Sequence, residues 1–277
     1  MTSNLSQILV LGGTGKTGRR VAEALRRSGV TPRVASRRSA TRFDWTDRAT
    51  WEPALTGMEA VYIVDSMGPE APAEIADFSA LAARTGVRRL VYLSGRPYGE
   101  IGGTWWMRIE EAVKASGLEW TILRPSWFAQ NFTEELGMFG SLWNTGELAL
   151  PTGNGREAFI DLEDLAEVAA VVLTRRGHAG RIYVLSGPRS LSFGDAVAEL
   201  AEASGRPLRF VPISLDAHRA EFTAAGYPDH VMDDLHDLYE HISEERGAEP
   251  VDGVREVLGR APRDFSDYVA RTDFTRL

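Results

Sequence analysis

The chain has 277 residues, no cysteine, and 39 acidic against 31 basic side chains, a formal net charge of −8. That balance argues against a basic nucleic-acid-binding face, and the lack of thiols excludes disulfides, thiolate zinc sites and iron–sulfur clusters. No run approaches the ~20 apolar residues of a membrane span. The polar stretch Met1 to Gln7 leads directly into the first apolar run, so a cytoplasmic protein without a signal peptide is expected.

In chain order, Ile8 to Leu11 reads as a short buried strand, and Gly12 to Gly18, Gly-Gly-Thr-Gly-Lys-Thr-Gly, joins it to a helix whose apolar face carries Val21, Ala22 and Leu25 and which stops at Gly29. Val30 to Ser36 is a second strand, with Pro32 near its start. Ala60 to Asp65 is a third. A helix over Ala73 to Thr85, closed by Gly86, leads to a fourth strand, Arg89 to Leu93. A helix near Met107 to Ser116 then passes through Gly117 into Trp120 to Leu123, which Arg124-Pro125 ends. Strands alternating with helices of ~12 residues specify βαβ crossovers and a parallel sheet covered on both faces, an α/β, doubly wound Rossmann fold.

Beyond residue 126 the alternation weakens. Trp127 to Phe139 is expected to be helical, Glu147 to Leu150 extended, and Pro151 to Gly155 a turn; Leu162 to Leu173 reads as a helix and Arg181 to Leu185 as a strand. Three further helices are expected over Phe193 to Ala203, His218 to Ala225 and Val231 to Ile242. The organisation inferred is a dinucleotide-binding domain over 1–150, completed by about 160–187, and a smaller, mostly helical substrate-side region over 188–277. The carboxylates between Asp233 and Glu245 read as a solvated helix face. His236 and His241 are five apart rather than four, so no metal site is expected.

The glycines at 12, 15 and 18 suit a tight turn, close approach of a diphosphate to the backbone, and close packing of helix on strand. The embedded Gly-Lys-Thr invites a nucleoside-triphosphate P-loop reading, but the glycine that motif needs five residues before Gly15 would fall at Val10. At the end of the second strand, where an acid would bind a ribose 2′-hydroxyl, the chain reads Ser36-Arg37-Arg38. An arginine there favours a 2′-phosphate, hence NADP over NAD, against the alternative of plain surface arginines. Asp44 with Trp45 is placed at the adenine, and Val64 with Asp65 beside the cofactor crevice; a helix cap or plain packing also accounts for Asp44. The Tyr-x-x-x-Lys pair of ketone-reducing short-chain dehydrogenases is absent: the lysines are Lys16 and Lys114, and the residues four before them are Gly12 and Glu110. The chemistry therefore uses another acid or needs none, as with quinones, conjugated enones or iminium ions.

Together, Leu11 to Gly18, Arg88 to Ser94, Ser116 to Pro125 with Ser126 to Phe132, and Phe159 to Asp164 resemble the NmrA-like family of atypical short-chain dehydrogenases/reductases, in the branch related to the ergot-alkaloid, festuclavine-type dehydrogenases. The resemblance extends from Ile8 to Asp264, with Trp120-Thr-Ile-Leu-Arg-Pro125 its most specific run. It implies that Gly12, Thr14, Gly15, Lys16 and Thr17 hold the diphosphate, Arg37 the 2′-phosphate, and Asp44 and Trp45 the adenine side, with Ser94 near the nicotinamide. Trp127, Phe128 and Asn131 would line a substrate cavity. Where many relatives carry a lysine, this chain has Trp106, preceded by Trp105, and the two tryptophans suit either a flat aromatic ligand or core packing. Tyr98 and Asn131 are the candidate hydrogen-bond donors. The expected activity is NADPH-dependent hydride transfer to a conjugated aromatic or iminium small molecule in secondary metabolism. A monooxygenase-type tailoring enzyme of aromatic polyketides and a non-catalytic NADP sensor acting through a protein partner stay open as alternatives; the oligomeric state is not fixed by the sequence.

Overall fold

The computed structural model describes residues 5–102, 105–134, 139–226 and 229–277. The chain divides into two compact units, each assembled from separated stretches: a sheet unit of residues 1–125, 162–185 and 252–261, and a second unit of 126–161, 186–251 and 262–277.

In the sheet unit the elements run β1 (Ile8–Leu11), α1 (Lys16–Arg27), β2 (Arg33–Ser36), β3 (Thr41–Arg42), α2 (Trp51–Leu55), β4 (Ala60–Ile63), α3 (Ala71–Arg84), β5 (Arg89–Leu93), α4 (Arg96–Ile101), α5 (Trp105–Lys114) and β6 (Glu119–Pro125), with Leu162–Thr174, Arg181–Leu185 and Gly253–Leu258 returning later. Seven strands pair in the order β3-β2-β1-β4-β5-β6 and then Arg181–Leu185, every pairing parallel. The expected doubly wound fold is the one found. Because strand side chains alternate, Leu9, Leu11, Val61, Ile63, Leu90, Tyr92 and Ile122 face α2, α3 and α5. The helix Leu162–Thr174 packs on α1 and on β4, β5 and β6, which explains why ten of its thirteen residues are buried.

The second strand begins later than expected. Gly29 at φ +86° closes α1, and the Val30 amide bonds back to the Leu25 carbonyl, so residues 30–32 belong to the helix stop and β2 starts at Arg33. The longer helix expected over Trp127 to Phe139 is also corrected, as far as its residues are described. Only Asn131–Glu134 is helical, because the chain on either side of Phe128 pairs with Ile160: the Ile160 amide bonds the Trp127 carbonyl and the Ala129 amide bonds the Ile160 carbonyl, both at 2.9 Å.

The second unit holds Glu147–Leu150 parallel to Arg209–Pro212, a short antiparallel pair of Arg156–Glu157 with Leu191–Ser192, and the helices Phe193–Ser204, Leu215–Ala224, Asp229–Ser243 and Phe265–Arg271. Its core is aromatic: Phe132 lies within 6 Å, centroid to centroid, of Phe139, Phe159, Phe193 and Phe265. No helix among the described residues is long and apolar enough to cross a membrane.

One buried cation ties the sheet unit together at the amino ends of its strands. Arg89, 3% exposed at the start of β5, donates to the carbonyls of Val172, Leu173 and Arg175, closing the carboxyl end of the helix Leu162–Thr174, and to Glu119 of β6. Carbonyls at a helix end lack intrahelical donors, so a guanidinium there satisfies several at once. Arg89→Met is expected to lower stability by about 2–3 kcal/mol, the sum of a few hydrogen bonds lost in a buried setting. Denaturant unfolding measures it; a loss under ~0.5 kcal/mol would show that these bonds carry no net stability.

Candidate active site

β1 is an inner strand of the sheet with β2 on one side and β4 on the other, so connections leave it in opposite directions and a crevice is expected beyond its carboxyl end. The glycine loop begins there. Gly12 adopts φ +61°, and a Cβ on Gly18 would lie 2.4 Å from the Gly12 carbonyl oxygen, so α1 can approach the loop only without a side chain. The sequence pattern singled out Gly12, Gly15 and Gly18, but a Cβ on Gly13 would meet Val34 Cγ1 at 2.6 Å, which makes the second glycine a requirement of packing on β2. The residue preceding α1, Gly15, has no side chain to cap it, and the helix carries no acid in its first turn. Neither a side chain at the cap position nor an acid in the first turn would compete with an anion at this helix start. These features fit a dinucleotide diphosphate.

The next positions lie around the same edge. Ser36 and Ser39 pin the turn after β2, the Ser36 amide bonding the Ser39 hydroxyl at 2.7 Å and the Ser39 amide the Ser36 hydroxyl at 3.1 Å, and Arg37 and Arg38 stand exposed on it. Asp44 is held below the usual carboxylate range first by the Thr46 hydroxyl and amide, with Arg37 and Arg42 adding attraction. Trp45 donates from its indole to the Val64 carbonyl at 3.0 Å and packs edge-on to Phe43, Trp51 and Phe78, which fastens the Asp44–Trp45 loop to the end of β4. Val64 in turn faces Gly12, its Cβ 3.7 Å from where a Gly12 Cβ would be. Asp65 accepts from the Tyr92 hydroxyl at 2.8 Å and from the Met67 amide at 2.7 Å, and burial pushes its carboxyl upward.

At the end of β5 the structure discloses a constellation that the sequence reading missed. Ser94 donates to Glu110 Oε1 at 2.7 Å; Glu110, fully buried on α5, is gripped by Arg124 of β6 through Nε at 2.8 Å and Nη2 at 2.6 Å, with Lys114 at 3.4 Å. Burial alone would raise the Glu110 pKa, but the bonds from Arg124 and Ser94 outweigh it, and the carboxyl lies below the ordinary range. A Cβ on Gly99 would fall 2.2 Å from Arg124 Nη1, so α4 can lie over the guanidinium only because that residue is glycine. The available signal was a glutamate on the same face as Ile109 and Val113, a face otherwise buried in the core.

The candidate donor Tyr98 and the expected substrate residues Trp105 and Trp106 form one stack in the sheet unit. Tyr98 lies parallel to Trp106 at 4.1 Å, and Trp105 tilts against Trp106 at 4.5 Å. Trp106, 4% exposed, belongs to the core, while Trp105 and Tyr98 are half-buried. Trp127, Phe128 and Asn131 are half-buried in the second unit, where Trp127 stacks with Phe139 and Tyr239 and Phe128 bridges Ile160. Among the described residues no histidine–carboxylate group is arranged to hold a metal ion.

Glu110→Gln leaves the Arg124 guanidinium without its carboxylate in a largely buried place, and is expected to cost about 3 kcal/mol at neutral pH. Because the folded carboxyl titrates below its unfolded value, its contribution is present above the ordinary glutamate range and fades as pH falls through the folded pKa. Unfolding of both proteins at pH 7 and pH 3 should therefore give a gap that narrows with acid. A gap that widens would reverse this assignment of charge.

A model of the NAD(P)H-binding family matches residues 12–176. The chain is 30% identical to the NAD(P)H azoreductase of Xenophilus azovorans over 94% of its own length and 96% of that protein's. It is equally 30% identical to festuclavine synthase II of Penicillium roqueforti, again over 94% and 96%. Among solved structures, the NADPH-dependent quinone oxidoreductase of Escherichia coli complexed with NADPH shares the fold with a TM-score of 0.79 at 22% identity, covering 95% of this chain and 99% of that one. With the glycine loop at the strand crossover and the seven-stranded parallel sheet in place, the chain belongs to the NAD(P)H-binding family and is an NAD(P)H-dependent oxidoreductase.

Proposed function

We propose that the protein uses NADPH to reduce a planar, conjugated acceptor whose own π system takes up the incoming electron pair: a quinone, an azo compound or an iminium ion of secondary metabolism. The observation that carries this reading is the state of Ser94. Its proton is committed to a carboxylate held ionised by Arg124, so this hydroxyl is a poor acid, and the Tyr-x-x-x-Lys pair is missing. An unconjugated ketone would need such an acid for its developing alkoxide; a quinone delocalises the charge and takes its proton from water. The similar azoreductase and quinone oxidoreductase, named for their azo and quinone acceptors, support the same class.

Bound NADPH supplies a hydride. What the chain's own residues do is bind and orient: the first turn of α1 takes the diphosphate, the serine-pinned turn offers Arg37 to the 2′-phosphate, and Trp45 with Val64 borders the adenosine. Trp105 and Tyr98 in the sheet unit, and Trp127, Phe128 and Asn131 in the second, are the substrate-side residues in this reading. The reaction balances as quinone plus NADPH plus one proton giving hydroquinone plus NADP, and a cytoplasmic location accords with its use of NADPH.

Two measurements test the proposal. Arg37→Ala is expected to weaken NADPH binding at least about tenfold, the worth of a charge-assisted hydrogen bond, and NADH binding less than about twofold; equal losses would remove Arg37 from the 2′-phosphate. Steady-state NADPH oxidation with 9,10-phenanthrenequinone, an azo dye and a cyclic iminium salt, with oxygen followed alongside, is expected to give turnover of at least one acceptor without dependence on oxygen. Stoichiometric oxygen use with a hydroxylated product would replace the reductase with an oxygenase, and tight NADP binding with no turnover would favour a sensor.

A further inference from the structure

The edge of the sheet away from the glycine loop holds a cavity that this function does not use. It has a volume of about 270 Å³ and lies at the amino ends of β5 and β6, against the turn that follows the helix Leu162–Thr174. Because every strand of the sheet runs parallel, the glycine loop at the carboxyl end of β1 is at least about 13 Å away, the length of a four-residue strand. The lining is basic. Arg88, Arg89 and Arg176 line the space against one carboxylate, Glu119, in a chain whose formal net charge is −8. Leu5, its amide bonded to the Thr174 carbonyl at 3.2 Å, gives the apolar part of the wall.

The three arginines are committed to different degrees. Arg89 is spent on the carbonyls at the helix end and on Glu119, so it contributes buried positive charge rather than free donors. Arg88 bonds Glu59 through Nη2, and its other N–H groups have no partner among the described residues. Arg176 is exposed and forms no hydrogen bond or ion pair with a described residue. The turn that carries it is nevertheless fixed to β6: the Thr121 hydroxyl donates to the His178 carbonyl at 2.7 Å, and the Gly180 amide to the Trp120 carbonyl at 2.8 Å. His178, half-buried on this turn, registers the local field. Burial first, and then Arg89, Arg181 and Arg175, hold its pKa below the ordinary histidine value, with Glu256 opposing them.

We propose that this cavity is an anion site separate from the dinucleotide's, and that it takes a small soluble phosphate compound with Arg176 and Arg88 as its partners. The inference stands apart from the conjugated-acceptor reading. Two guanidiniums with open N–H groups suit an anion with several acceptor oxygens, and a phosphate group has more of these than a carboxylate. The room exceeds that of a single ion but falls short of the ~300 Å³ at which pockets for drug-sized ligands begin, so a second dinucleotide does not fit. Arg89 behind the lining is 3% exposed, where its charge is screened less than at the surface.

The test uses the full chain saturated with NADP, so that the glycine loop is occupied, at constant ionic strength. Calorimetric titration with inorganic pyrophosphate is expected to give one site with a Kd below about 1 mM, and acetate to bind at least about tenfold more weakly. Arg176→Ala is expected to weaken pyrophosphate at least about tenfold, the worth of a charge-assisted hydrogen bond, and to leave NADP affinity unchanged. Arg276→Ala, which removes an exposed arginine of the second unit, should change neither. Proton NMR locates the ligand: a bound anion favours the imidazolium, so the His178 pKa, assigned with His178→Gln, should rise on adding pyrophosphate to wild type and move less in Arg176→Ala. No binding of pyrophosphate to the NADP-loaded chain, acetate binding as tightly, equal weakening by the two alanine variants, or an unmoved His178 would overturn the proposal. NADP binding is measured first and separately, so its failure refutes the dinucleotide reading alone, and the Arg176 dependence of pyrophosphate binding still decides this one.

Discussion

The structure depends on a helix that starts without a cap. α1 leaves β1 over a loop so close that Gly18 touches the Gly12 carbonyl; Gly15 at its start has no side chain to cap it, and its first turn carries no acid. A helix without such a cap forgoes that stabilisation, and helix packing has to compensate for it. Here the compensation comes from the far side of α1, which lies along Leu162–Thr174, itself buried on three strands and closed at its end by Arg89. The glycine loop at one edge of the sheet and the arginine clamp at the other are therefore mechanically linked through two helices. The clamp edge is tied by buried hydrogen bonds, and the glycine-loop edge is the one proposed to take the dinucleotide.

The same division governs charge. Among its described residues the sheet unit buries two carboxylates completely, Asp164, paired with Arg260, and Glu110, which is surrounded by Arg124, Ser94 and Lys114. An ion pair of this kind adds less net stability than its distances imply, because both ions had to leave water. What it does fix is geometry, locking α5, the end of β5 and β6 to one another, with Gly99 admitting α4 over the guanidinium. It also fixes protonation: a serine hydroxyl aimed at a carboxylate is an orienting group and not an acid. The aromatic stack of Tyr98, Trp106 and Trp105 begins from this rigid base.

How much of this was legible in the sequence depended on how local the cause was. β1, β4 and β5 are short apolar runs because both their faces are covered, and the runs announce them. The glycine loop, the arginines after β2 and the absent Tyr-x-x-x-Lys pair were equally visible, being matters of spacing. Three things were not. The segment after Trp127 carries aromatics at intervals that suit a helix, yet Phe128 is held extended by Ile160, more than thirty residues on. Glu147–Leu150 was recognisable as extended, but its partner Arg209–Pro212 lies sixty residues away and has no pattern of its own, both its ends being exposed. Glu110 looked like an ordinary helical glutamate because the arginine that makes its burial tolerable belongs to another element. Composition shows a charge; only the fold shows its partner.

The two tryptophans replacing a lysine show how such partners redirect a reading. Trp106 is nearly buried and its ring is covered by Tyr98, whereas Trp105, one residue earlier, keeps a side exposed. Adjacent residues on a helix point about 100° apart, so they cannot serve the same surface. One tryptophan therefore anchors α4 to α5, and the other keeps part of its ring at the surface. An apolar ring at that position has no ammonium with which to lower a phenol pKa or stabilise an alkoxide. Packing in place of charge thus takes from this position a means of stabilising an alkoxide, which is why the proposed acceptors are those that carry their own electron sink.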